Sequence, residues 1–225
     1  MAMAHELEEM PLFPLNTVLF PYASVQLHVF EERYRELVQD CLTEDRPFGI
    51  VLIRNGSEVG GQADPYMVGT AVRIVKVHTY EDGKMDIQVR GERRFRIRHL
   101  DETGSYLTGL VEPVIEHAIE EGPEAEELLT RAREEFEVFI QRLFARQEFS
   151  VQVVFPPDPV ALSFTIANLL QMENLEKQRL LETTDTLERV QDLLPIMEQQ
   201  LLEDSIDPTT YRLTGDDLRE WILPN

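Results

Sequence analysis

The chain is poor in cysteine, tryptophan and lysine, and it has no long apolar run. A single cysteine, Cys41, excludes an internal disulfide and suits a reducing compartment such as the cytoplasm. No apolar stretch approaches the roughly 18 residues a membrane-spanning helix needs, so no membrane association is expected. The N-terminus has no basic segment leading into an apolar one, which argues against a secretory signal. Phosphate-binding loops need glycines followed by Gly-Lys-Ser/Thr, and the one Gly-Lys pair, Gly83-Lys84, sits where a hairpin turn is expected. A G-x-S-x-G elbow is absent, and Lys76, Lys84 and Lys177 lie in no recognisable serine–lysine motif. The histidines, His5, His28, His78, His99 and His117, are scattered at spacings that do not build a metal site. The sequence therefore gives no reason to expect a cofactor, a metal or an enzymatic activity.

Positive charge is also scarce. The net charge is −21, with residues 1–111 holding 17 acidic and 12 basic side chains and residues 112–225 holding 25 and 9. Such a surface repels nucleic-acid phosphates and anionic lipid. One basic cluster stands out, Arg90, Arg93, Arg94, Arg96 and Arg98. It can be read as an RNA contact or as an outward face paired with acidic residues. The net charge favours the second reading.

What is present begins with Met10-Pro-Leu-Phe-Pro-Leu-Asn-Thr-Val-Leu-Phe-Pro21. Pro11, Pro14 and Pro21 rule out a helix, because each ring fixes φ, removes a donor and pushes the preceding residue toward an extended shape. An apolar strand interrupted by proline is expected at a sheet edge. Val25, Leu27 and Val29 alternate as in a half-buried strand, and Phe48–Ile53 reads as a strand buried on both faces. Strands are expected again over 68–77, over 84–90 after an Asp82-Gly83 turn, around Phe95 and Ile97, and over 106–114. Tyr34, Leu37, Val38, Cys41 and Leu42 form one helical stripe.

The period changes after the acidic stretch 116–122. A helix is expected from Pro123, another after an Asp158 N-cap with Pro159 at its first position, a third over 174–182, and a fourth capped by Thr184 or Asp185. Pro195 is expected to kink or break that last helix. Leu218, Trp221, Ile222 and Leu223 form a short amphipathic piece near the end. Strands followed by helices predict an α+β fold.

Several segments together resemble one known family. The proline-punctuated opening, Leu27–Tyr34, Phe48–Ile53, Tyr66-Met-Val-Gly-Thr-Ala71, Gly91-x-x-Arg-Phe-Arg-Ile97, Asp158-Pro159 with Leu162-Ser163, and Lys177–Glu182 occur in the order found in the Lon protease N-terminal domain. The chain resembles a stand-alone member of that family without ATPase or protease modules. The resemblance implies a PUA-like β pseudo-barrel over 10–118, a helical bundle over 119–204 and a C-terminal tail over 205–225. It also implies a non-catalytic domain that binds unfolded polypeptides or client proteins, with Lon protease itself as a possible associate. A small-molecule or RNA-binding PUA-like module is the alternative.

Phe13, Phe20, Phe30, Tyr34 and Phe95 are the candidate peptide-contact residues. If the entry strand is an edge, its backbone can template an incoming chain while Phe13, Phe20 and Phe30 anchor it. The competing reading is that these aromatics are core. Cys41, on the helical stripe, reads as a buried inert thiol.

Overall fold

A computed structural model describes residues 7–60, 63–144, 151–153, 155–202 and 222–224. The chain divides into two compact units, Met1–Val114 with Asn174–Glu182, and Ile115–Glu173 with Thr183–Asn225.

The first unit is a ring of strands with one helix against it. Its strands are β1 (Glu8–Leu15), β2 (Ser24–Val29), β3 (Phe48–Gly56), β4 (Ala63–Pro65), β5 (Val68–Thr79), β6 (Met85–Asp101) and β7 (Thr108–Pro113), and its first helix is α1 (Glu32–Glu44). The hydrogen-bonded order β1-β7-β6-β5-β3 closes because β1 also pairs with β3. β2 joins the first half of β6, and β4 joins β3. The result is a ring rather than a regular barrel, in an α+β chain.

β1 is not an edge strand, contrary to the proline argument. Residues 8–11 run antiparallel to β7, and residues 12–15 run parallel to β3. Backbone alternation explains why the prolines fit. Leu12 N–H donates to Leu107 C=O at 2.8 Å, so even-numbered residues of β1 aim their donors at the β7 side. Pro14 is even-numbered, and its missing donor points that way only after β7 has run out. Pro11 is odd-numbered, and its missing donor points toward β3 one residue before that pairing begins. Each proline thus removes a donor that has no ladder partner, which is the position proline tolerates.

From Met10 to Leu15 both faces of β1 are buried. Phe13 and Leu15 join Leu37, Val38, Phe48 and Ile87 in the core beneath α1, while Met10 and Leu12 pack with Val51, Phe95 and Val111 in a second cluster. The expected strands at 84–90 and near Phe95 are one 17-residue strand that continues through Gly91. A Cβ at Gly91 would lie 2.5 Å from the Phe20 carbonyl oxygen, so only glycine lets the 20–21 segment cross that strand. The Asp82-Gly83 turn forms as expected, with Gly83 at φ 80° and Tyr80 N–H bonded to Lys84 C=O.

The helix α4 (Asn174–Glu182), grouped by sequence period with the helical half, packs within the strand unit. Gln178 Nε2 donates to Val68 C=O at 3.0 Å, Arg94 Nη1 to Leu181 C=O at 2.6 Å, and Asn174 Nδ2 to Asn16 C=O at 2.7 Å. Leu180 and Leu181 are buried, so apolar burial and these bonds together fix the helix.

The second unit holds α2 (Pro123–Phe144), β8 (Val151–Val153), α3 (Pro159–Leu169), α5 (Thr186–Leu202) and β9 (Ile222–Pro224). Asp158 caps α3 by accepting from Ala161 N–H at 2.9 Å, with Pro159 following as expected. Asp185 caps α5, accepting from Leu187 and Glu188 N–H. That helix runs through Pro195 without ending there. Its buried side, Val190, Leu193, Leu194 and Met197, packs against α2 and α3, and that burial outweighs one lost backbone bond. Arg189 is fully buried, its guanidinium 4.0 Å over the Phe164 ring and bonded to Ser163, Thr183, Thr186 and Glu116. Leu218 and Trp221 lie outside the described residues, whereas Ile222–Pro224 pairs antiparallel with β8.

Candidate functional site

The alternating sequence of β2 turns Val25, Leu27 and Val29 toward the core beneath α1 and leaves Gln26 and His28 exposed. Where β2 ends and α1 begins, a partly open groove of about 130 Å³ cuts into that core. Phe13, Leu15 and Tyr34 line it from one direction, consecutive residues Gln26–Phe30 from another, and Glu31, Glu58 and Val59 complete it. Apolar cavities near about 150 Å³ accept a benzene-sized group. The groove is therefore of a size to take one apolar side chain.

Three of the five candidate residues meet there. Phe13 and Tyr34 stack face to face, with centroids 4.0 Å apart and planes 11° apart, and Phe30 stands beside them. Their exposures differ sharply. Phe13 and Tyr34 are each 5% exposed, whereas Phe30 is 46% exposed. Phe20 and Phe95 are placed elsewhere and fully buried. Phe95 reaches the position where Gly49 would carry a Cβ, 2.4 Å from its ring, so the ring fills the space that glycine leaves. Burial makes Phe13, Phe20, Tyr34 and Phe95 core residues and leaves Phe30 as the candidate with an open face.

The outer surface of β2 carries residues that the sequence reading passed over. His28, Asp86 and His78 lie in one cross-strand row on β2, β6 and β5. His28 Nδ1 is 2.6 Å from Asp86 Oδ1, and Tyr80 Oη donates to Asp86 Oδ2 at 2.5 Å. These two bonds, the Tyr80 one first, hold the Asp86 carboxyl below the usual carboxylate range. An ionised carboxylate only accepts, so the proton of the His28 contact sits on Nδ1. Phe30 lies 6.0 Å from the His28 ring, extending the exposed aromatic strip from Tyr80 to the groove. Cross-strand pairing was the available signal, and it needs the register as well as the alternation.

At the rim, Glu31 meets Arg33 at 3.1 Å and accepts from Gly60 N–H, while Glu58 accepts from the neutral Asn16 amide. Burial raises the Tyr34 phenol pKa. Arg33 opposes the rise, and Glu31 and Glu58 add to it. The arginine run is largely engaged in its own unit: Arg93 with Glu8, Arg98 with Glu112 and Arg94 with the end of α4.

The first unit is thus a closed strand ring that carries a small apolar groove beside an exposed aromatic strip. Residues 9–199 match the model of the ATP-dependent protease La (LON) substrate-binding domain, and the chain belongs to that family. It is 30% identical to Lon protease 2 of Syntrophobacter fumaroxidans over 86% of this chain and 25% of that protein. It is 30% identical to Lon protease 2 of Myxococcus xanthus over 95% of this chain and 27% of that protein. The chain thus spans about a quarter of the length of the curated relatives it matches. A crystal structure of a Lon N-terminal domain protein from Xanthomonas campestris superposes with a TM-score of 0.60 at 30% identity, covering 84% of this chain and 98% of that one. The N-terminal domain of the Mycobacterium avium complex Lon protease shares the fold, with a TM-score of 0.65 at 22% identity over 85% of this chain and 98% of that one. No helix among the described residues is long and apolar enough to cross a membrane.

Proposed function

We propose that the chain binds unfolded segments of protein clients without acting on them chemically, as a substrate-recognition domain that associates with Lon protease in the cytoplasm. The observation that carries this reading is the groove between β2 and α1, where an exposed Phe30 stands at the mouth of an opening lined by the Phe13–Tyr34 pair. Unfolded chains present the apolar and aromatic side chains that folded proteins hide, so such an opening discriminates by exposure rather than by sequence. Membership of a substrate-binding family supports the same reading. The pairing of Arg93 and Arg98 with local carboxylates, and the net charge of −21, favour polypeptide over RNA.

The test is a fluorescence titration with a permanently unfolded, carboxymethylated protein and with its folded parent. Saturable binding to the unfolded form alone is expected. Equal or absent binding to both forms would remove the proposal. Association with Lon is checked by pull-down from native lysate read for Lon subunits, and their absence would confine the protein to client binding.

A further inference from the structure

We propose that the outer edge of β2 is a strand-addition site for an extended, acid-poor polypeptide segment that seats an apolar side chain in the adjoining groove. The site is a more specific form of the polypeptide binding proposed above and rests on it.

Backbone parity shows which groups the edge offers. Gly91 N–H donates to Ala23 C=O at 2.8 Å, and the β2–β6 register continues without a shift from Ser24↔Arg90 to Val29↔Met85. Val25, Leu27 and Val29 therefore direct their backbone groups at β6. The hairpin agrees, because the Tyr80–Lys84 bond turns even-numbered residues of β6 toward β5. Ser24, Gln26 and His28 consequently point their N–H and C=O away from the sheet, where β2 has no strand partner among the described residues. Five consecutive residues, Gln26–Phe30, line the groove, as an edge-on exposure requires; a face would present alternate ones.

This edge lacks the usual protection. Exposed strand edges are ordinarily blunted by short length, proline, inward charge, lysine or a bulge. By contrast, the edge strand β4 has three residues, Ala63-Asp64-Pro65, with a register shift in its pairing, and the free edge of β5 beyond Val72 carries Lys76 and a register shift of its own. β2 is six residues, Ser-Val-Gln-Leu-His-Val, with no proline, lysine or bulge. An edge of this kind pairs with any chain that repeats N–H and C=O every second residue, about 6.8 Å apart, and an extended polypeptide does so.

The rim sets the chemistry of the occupant. Glu31 is answered by Arg33, which also reaches the Glu58 backbone carbonyl at 3.5 Å, while the Glu58 carboxylate is bonded, among the described residues, to the neutral Asn16 amide. Two carboxylates thus face one guanidinium around the Tyr34 ring. An acidic segment is repelled and a basic or neutral one is favoured. On an added strand, alternate side chains face the core side, where Phe13, Leu15 and Tyr34 receive an apolar group.

The experiment uses a fluorescein-labelled ten-residue peptide alternating Val or Phe with Lys, a Glu-for-Lys counterpart, and two forms N-methylated at alternate backbone positions. Anisotropy should show at least tenfold weaker binding for one N-methylated form and not the other, and for the Glu peptide. Gln26→Pro, which removes an outward donor, should weaken the Lys peptide at least tenfold with the melting curve retained. In case that variant unfolds, amide hydrogen exchange on the unaltered protein should show Gln26 and His28 slowed by peptide, with Leu27 and Val29 already slow. Binding of the Lys peptide that is indifferent to N-methylation, with no new protection at Gln26 and His28, would overturn strand addition and leave the broader reading standing. Equal binding of the Glu peptide would overturn the charge preference. No binding of unfolded protein or peptide would overturn both readings.

Discussion

Replacing Phe13 and Phe30 separately by alanine distinguishes a core residue from a contact residue at the same groove. Phe13 is 5% exposed, stacks on Tyr34 at 4.0 Å and lies 6.1 Å from Phe48. Phe13→Ala removes a buried ring, at a cost of about 3–5 kcal/mol, of which roughly 0.5–1.5 kcal/mol belongs to the aromatic pairing. With a denaturant slope of about 2 kcal/mol/M, the urea midpoint should fall by about 2 M. Phe30 is 46% exposed, so Phe30→Ala should move stability by no more than about 0.5 kcal/mol. Its effect should appear in binding, as a weakening of about tenfold, or roughly 1.4 kcal/mol, for an unfolded client. Urea melts followed by circular dichroism, with client anisotropy corrected for the folded fraction, give both quantities on the same samples. An unchanged midpoint with lost binding in Phe13→Ala would refute its assignment to the core. A large loss of stability in Phe30→Ala would refute its assignment to the surface.

Cys41 is buried, and burial pushes its thiol up to about 11, so a thiol-specific disulfide reagent at pH 8 should react only after denaturant is added; rapid labelling of the native protein would contradict this. The Tyr106 phenol is pushed up to about 12 by burial and by its hydrogen bond to Asp40, from an ordinary 10.0. Its neutral form is the one the fold favours, so this contribution is complete below pH 10 and is lost between pH 10 and 12; stability measured across that window should fall less in Tyr106→Phe than in the parent. Arg189→Met in the second unit removes the ion pair to Glu116 at 3.2 Å and the donation to the Thr183 carbonyl at 2.6 Å. The expected loss is on the order of 3 kcal/mol, read by thermal melting, and a neutral result would show that the buried network holds nothing together.

The strands were legible where side chains alternate, as at Val25, Leu27 and Val29, because a two-residue period is written directly in the residue types. The place of β1 was not. Proline rules address one ladder at a time, and this strand changes partner midway, so each missing donor falls on whichever side is vacant. Asp158 and Asp185 were readable as caps because capping acts within one turn. The allegiance of α4 depends on Arg94 reaching Leu181 and Gln178 reaching Val68, across 87 and 110 residues of sequence, and no local pattern records that. At the candidate site, residue type singled out Phe13, Phe30 and Tyr34, which line one groove, but could not tell which ring faces water. Phe20 and Phe95 satisfy the same compositional criterion and are fully enclosed.

The first unit is discontinuous in the chain, and vectorial synthesis turns that into an order of events. The last ring strand ends at Pro113, but the helix that buries Leu180 and Leu181 within this unit begins only at Asn174. A ribosome working at about 5–20 residues per second thus leaves the ring without its second helix for some seconds while residues 115–173 are made. During that interval the buried guanidinium of Arg94 lacks its Leu181 acceptor, and the Val68 carbonyl lacks Gln178. The same arrangement governs proteolysis. A cut in the acidic connection at 116–122 does not release the strand unit whole; it separates the ring from one of its own helices.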